Sequence, residues 1–133
     1  MKIAATIVAM LAIASSAEAQ SRERFDLICD GTLARTIGGT TEQLPWSGRY
    51  AVDLGRGKFC EAGCDAPETI RGTNDRTILL RFSTYIDGQI LSDLAISRID
   101  GRLTGSRRYT HRSERIEATC TRGTFTAFPT TMF

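Results

Sequence analysis

The stretch "LAISRIDGRLTGSRRY", residues 94–109, decides the fold class. Two runs that alternate apolar and polar side chains flank Asp100-Gly101, a dipeptide suited to positive φ in a tight turn. The segment therefore reads as an antiparallel hairpin. The same grammar repeats on both sides of it. Upstream, "ETIRGT" (68–73) runs into Asn74-Asp75, and "RTILLRF" (76–82) sets Ile78, Leu80 and Phe82 on one side. Asp87-Gly88 is another turn dipeptide, although Ile90, Leu91 and Leu94 also have the spacing of a short helix over residues 87–97. Further back, "RFDLICDGTLARTI" (24–37) alternates until it meets Gly38-Gly39. "RYAVDL" (49–54) puts Tyr50, Val52 and Leu54 on one face before "GRG" turns the chain into "KFC". "ERIEATCTRGTF" (114–125) closes the series. Strands at this spacing with glycine-rich turns predict an all-β fold, a small antiparallel β-barrel or β-sandwich of about 7–9 short strands.

The N-terminus sets the compartment. After Met1-Lys2 comes "IAATIVAMLAIA" (3–14), within the length of a secretory h-region and short of a membrane span. Ala17-Glu18-Ala19 then supplies a small-x-small cleavage site. The reading is a cleaved signal peptide over 1–19 and a single antiparallel β domain over 20–133, with no transmembrane segment in the mature chain. The competing reading, an N-terminal anchor, needs a longer apolar run. The expected location is periplasmic or secreted.

Export gives the cysteines their meaning. Cys29, Cys60, Cys64 and Cys120 can pair in three ways, and in an oxidising compartment an even set reads as bridges. Phe25, Leu27 and Cys29 share one face of a strand, as do Ile116, Ala118 and Cys120, so both outer thiols should point into the core. That favours Cys29–Cys120 with Cys60–Cys64, the second closed locally because Gly63 lets the chain fold tightly. A redox site wants C-x-x-C, one residue shorter than "CEAGC". A zinc site wants two close pairs of ligands, whereas this chain has one close pair and a single histidine, His111.

The chain carries 17 Lys and Arg against 15 Asp and Glu, a net charge of +2 that argues for no nucleic-acid partner. The charge is uneven. From Arg98 to Arg122 seven arginines stand against Asp100, Glu114 and Glu117. Arg107, Arg108, Tyr109 and Arg112 are the candidate binding residues. In an extended chain Arg108 and Arg112 share one face, with Arg107, Tyr109 and His111 on the other. Arginine suits planar contacts to carboxylate or phosphate, and Tyr109 suits stacking. An anionic envelope component such as lipopolysaccharide, or an acidic protein, fits as partner. The opposing reading makes the arginines a solvated β-surface that discourages edge pairing. Trp46, between Pro45 and the "RYAVDL" strand, is expected to plug one end of the core.

No phosphate loop, dinucleotide fingerprint, zinc-protease motif, calcium loop or nucleophile elbow is present, and no cofactor is expected. The favoured function is a binding module that uses the arginine-rich C-terminal surface. The alternatives are a structural or stress-related envelope protein without a small-molecule site, and an enzyme whose site assembles across strands.

"LICDGT" (27–32) and "ATCTRG" (118–123) resemble the terminal cysteine segments of the periplasmic inhibitors of c-type lysozyme, small β-barrels that insert a Ser-Gly-x-x-Tyr loop into the enzyme's cleft. The likeness covers about a dozen residues at the two ends. Ser47-Gly48-Arg49-Tyr50 is one residue shorter than that loop motif, and Gly105 to Tyr109 has one residue too many between Gly and Tyr. With the motif absent, neither the activity nor any site residue carries over.

Overall fold

A computed structural model describes residues 23–84 and 90–129. The expected signal peptide over 1–19 and the Asp87-Gly88 turn lie outside them. Among the described residues nine strands form one antiparallel sheet. They are β1 (Arg24–Ile37), β2 (Thr40–Asp53), β3 (Lys58–Glu61), β4 (Glu68–Thr69), β5 (Gly72–Thr73), β6 (Thr77–Thr84), β7 (Ile90–Ser97), β8 (Arg102–Arg108) and β9 (Arg112–Gly123). No helix among these residues is long and apolar enough to cross a membrane.

The spatial order is β4-β3-β2-β1-β9-β8-β7-β6-β5. Two meanders of sequential strands thus meet where the first strand pairs with the last. The two edge strands, β4 and β5, are consecutive in the chain and separated only by Ile70 and Arg71. Such a short link forces the edges toward each other, so the sheet curls into a half-barrel. Ile70 N–H donates to Gly57 O at one edge (2.9 Å), and Arg71 N–H donates to Leu79 O at the other (2.9 Å).

Turn chemistry places the strand ends. Gly38 and Gly39 both have positive φ, 57° and 79°, as a two-residue hairpin requires. Between β7 and β8 the loop spans four residues, and only Gly101 within it has positive φ (72°). Ser97 Oγ accepts from Ile99 N–H, and Asp100 Oδ1 accepts from Arg102 N–H (3.0 Å). That backbone bond, aided by Ser97, holds the Asp100 carboxyl below the usual carboxylate range.

Cys29 stands directly opposite Cys120 in the β1–β9 ladder and is bonded to it across 91 residues of chain. Both sulfurs are buried, as the alternation predicts. Cys60 is bonded to Cys64, with Gly63 between them at φ 82°. Inside the half-barrel Val52, Phe59, Leu80 and Leu103 are fully buried, with Tyr50 and Cys29 beside them. On the outer face the C-terminal tail covers β1: Thr126 Oγ1 donates to the buried Asp26 carboxylate (2.9 Å), which also accepts from Arg49 Nη2 (2.9 Å).

The strand reading holds over the described part, Ile90–Ser97, against the alternative of a short helix, because Leu94 and Ile96 turn inward two apart. The structure corrects two sequence expectations. Phe82 leaves the face of Ile78 and Leu80 and is 39% exposed, because the β6–β7 register slips between Leu79 and Arg81. The second strand does not begin after Trp46 but runs through Pro45. Proline is tolerated there because β3 pairs only with Tyr50–Asp53, leaving the first part of β2 an edge.

Candidate functional site

The link between β8 and β9 is residues 109–111, closed by Tyr109 N–H donating to Arg112 O (2.7 Å). It gathers Arg107, Arg108, Tyr109 and Arg112 at one end of the half-barrel. Because the chain turns here, the faces expected for an extended segment do not hold. Arg107 shares the inward side of β8 with Leu103 and Gly105, and its Nη2 lies 3.8 Å from Glu61 Oε2. Arg108 is exposed on the other side. Arg112 lays its guanidinium over the Tyr109 ring, 4.3 Å from the centroid. Its Nε is 3.1 Å from Glu114 Oε1, an ion-pair contact without hydrogen-bond alignment. His111 is exposed in the link.

The remaining arginines of the segment go elsewhere. Arg102 and Arg115 flank Glu117 on the outer face at 3.9 and 3.7 Å. Arg98 and Arg122 stand at the opposite end of the half-barrel. Alternation along each strand has divided one basic stretch among three places.

Below the tip the sheet opens into a small polar mouth. A rung running Leu33–Ile116–Gly105–Leu94–Arg81 crosses five strands, and the next rung outward runs Arg35–Glu114–Arg107–Ser92. Arg81 reaches the inside because the bulge at Leu80 supplies one extra residue and turns the following side chain over. Its Nη2 then donates to Glu68 Oε2 (2.6 Å) and lies 3.5 Å from Glu61 Oε2. Burial alone would lower the Arg81 pKa, but the hydrogen bond and charge of Glu68, followed by Glu61, leave it raised. Glu61 is itself placed by the short staple: Cys64 N–H donates to Glu61 O (2.8 Å) inside the Cys60–Cys64 loop.

Sequence reasoning missed Glu61 and Arg81. The only trace of the bulge is the apolar run Ile78-Leu79-Leu80, which breaks strict alternation just before Arg81.

The mouth encloses about 90 Å³ between Trp46, Tyr50, Glu61, Arg81, Arg107 and Glu114. That space suits a few waters and falls well below the roughly 300–1,000 Å³ of small-molecule sites. Its ion pairs, Arg81 with Glu61 and Glu68 and Arg107 with Glu61, join β6 and β8 to β3 and β4, strands that are not neighbours in the sheet. Trp46 is half-buried against the core, as a partial plug, and its ring lies over Gly48.

Tyr50 lies at the base of the mouth, 2% exposed. Burial, and then the charge of Glu61, push its phenol up to about 12. An unfolded tyrosine ionises near 10. Above pH 10 the unfolded state therefore binds fewer protons than the folded one, and stability falls as pH rises toward 12. Denaturant unfolding at stepped pH should show this decline in wild type and a weaker one in Tyr50→Phe. Parallel declines in the two proteins would count against the buried phenol as the cause.

No family model, curated protein or solved structure matches the chain.

Proposed function

We propose that the domain is an exported binding module whose β8–β9 tip meets an anionic envelope component or an acidic protein. The observation that carries this reading is the Tyr109–Arg112 stack beside the exposed Arg108. A guanidinium laid on an aromatic ring has lost much of its rotamer freedom before any partner arrives, so binding costs less ordering entropy. Two disulfides in one small domain agree with an oxidising compartment, periplasmic or extracellular.

The test replaces Arg107, Arg108 and Arg112 together by glutamine and compares capture from envelope extract at low and high salt. Wild type should hold its partner at 0.1 M salt and release it near 1 M, where the Debye length shrinks from about 10 Å to about 3 Å. The triple variant should lose the partner at low salt with little change in melting, since surface substitutions usually cost within about 0.5 kcal/mol each. A second reading, a structural envelope protein, draws on the pairing of Arg107 with Glu61 and of Arg115 with Glu117. It predicts the reverse: stability falls and no partner is lost. A triple variant that melts like wild type and retains every partner would leave the tip as a solvated turn only.

A further inference from the structure

The two disulfides are held in different ways. Cys29 and Cys120 stand directly opposite each other on paired strands, 1% and 8% exposed inside the half-barrel. If that bond opened, the β1–β9 ladder would keep both sulfurs where they are. Cys60 is fixed in the same manner on β3, opposite Ala51 and 7% exposed. Its partner is not. Cys64 lies three residues past the end of β3, half-buried in a turn whose Ala62, Gly63 and Asp65 are exposed. That turn depends on Gly63 at φ 82°, and an added Cβ there would meet nothing within 4 Å. The bridge also lines a cleft of about 300 Å³ on the outer face, together with Ala51, Gly63, Thr126 and Pro129.

We infer that the Cys60–Cys64 bridge is a site of reversible modification by a low-molecular-weight thiol, which becomes joined to Cys64 as a mixed disulfide. The thiolate of the small molecule attacks Cys64 Sγ, the more accessible sulfur. A new S–S bond forms there and the Cys60–Cys64 bond breaks. Its electron pair leaves on the Cys60 sulfur, which takes up the proton that the incoming thiol gave up. One disulfide replaces another, so no oxidant or reductant is consumed. Cys60 Sγ lies 3.4 Å from Glu61 O, a carbonyl that can accept the S–H created by the exchange. Once released, Cys64 moves with its turn, and the effective concentration of one sulfur toward the other falls. The ladder denies Cys29 and Cys120 that freedom. Cys60, still fixed on β3, can later attack the mixed disulfide, expel the small thiol and close the bridge again. The site lies on the outer face and stands independently of the β8–β9 tip.

Glutathione is a suitable probe. The folded, disulfide-bonded protein is held in a mixture of its reduced and oxidised forms at about pH 8, where thiols are partly ionised. Free thiols are then trapped with N-ethylmaleimide and the unreduced peptides are mapped. The expected product carries one glutathione on Cys64 and one maleimide on Cys60, with the Cys29–Cys120 pair intact. Attack on Cys29–Cys120 should be slower by about 100-fold or more, because it waits on opening of the β1–β9 ladder. Gly63→Ala should raise the equilibrium share of the adduct about fivefold, since alanine is strained at this φ in the closed loop and relaxes once the bridge opens. The inference is overturned if no adduct forms, or if Cys29 or Cys120 is labelled as fast as Cys64. It is equally overturned if glutathione sits on Cys60 with Cys64 free, or if Gly63→Ala leaves the share of adduct unchanged.

Discussion

Removing the Cys29–Cys120 bridge is expected to cost about 4.5 kcal/mol of unfolding free energy, against about 2 kcal/mol for the Cys60–Cys64 bridge. The difference follows from the length of chain each one closes, 91 residues against 4. A long closure removes far more conformations from the unfolded ensemble. Its position in the fold adds to the effect. β1 and β9 are the strands through which the two meanders join, so the bridge pins the least local pairing in the sheet. Cys60–Cys64 shapes only the loop that carries Glu61. Denaturant unfolding of the two double alanine variants, Cys29→Ala with Cys120→Ala and Cys60→Ala with Cys64→Ala, measures both terms. Equal losses would contradict the assignment, as would a Cys29–Cys60 fragment in peptide maps of unreduced protein.

Gly31→Ala should cost on the order of 3 kcal/mol, at the upper end of overpacking changes. Gly31 faces Ala118 across the β1–β9 ladder, one same-face rung from the disulfide. A Cβ at this position would stand 2.5 Å from Ala118 Cα and 2.7 Å from Ala118 Cβ, and against the Glu117 carbonyl. These atoms belong to the neighbouring strand itself. They cannot rotate away, and the Cys29–Cys120 bridge stops the two strands from parting. Gly48→Ala makes a useful contrast. There the added methyl meets the edge of the Trp46 ring at 2.5 Å, and a half-buried side chain can swing aside. Thermal unfolding should place Gly31→Ala on the order of 10 °C below wild type, with Gly48→Ala much closer to it. Combining Gly31→Ala with loss of the disulfide should cost less than the sum of the two, because freed strands can separate. Strict additivity, or a Gly31→Ala cost within about 0.5 kcal/mol, would show that the ladder is looser than this geometry requires.

Much of the architecture is written locally in the sequence. The all-β class, the run Arg24–Ile37 as one strand, the Gly38-Gly39 hairpin and the hairpin around Asp100-Gly101 all follow from a two-residue period and the φ preferences of glycine. The inward direction of Cys29 and Cys120 follows from the same period, and with it the pairing of the four cysteines. These features need only neighbours in the chain. What required the tertiary structure is whatever depends on strand order. The pairing of the first strand with the last, the edge that tolerates Pro45, and the reach of Arg81 and Arg107 to Glu61 each join residues that no periodicity relates. One inserted residue at Leu80 reverses every side chain after it, sending Phe82 outward and Arg81 inward. The basic C-terminal segment shows the same limit. In the sequence it is a single cluster of charge, whereas alternation and one turn at residues 109–111 send its arginines to the tip, the outer face and the opposite end of the half-barrel. Composition counts charges, but the direction of each side chain is set by the pleat and by which strand lies beside it.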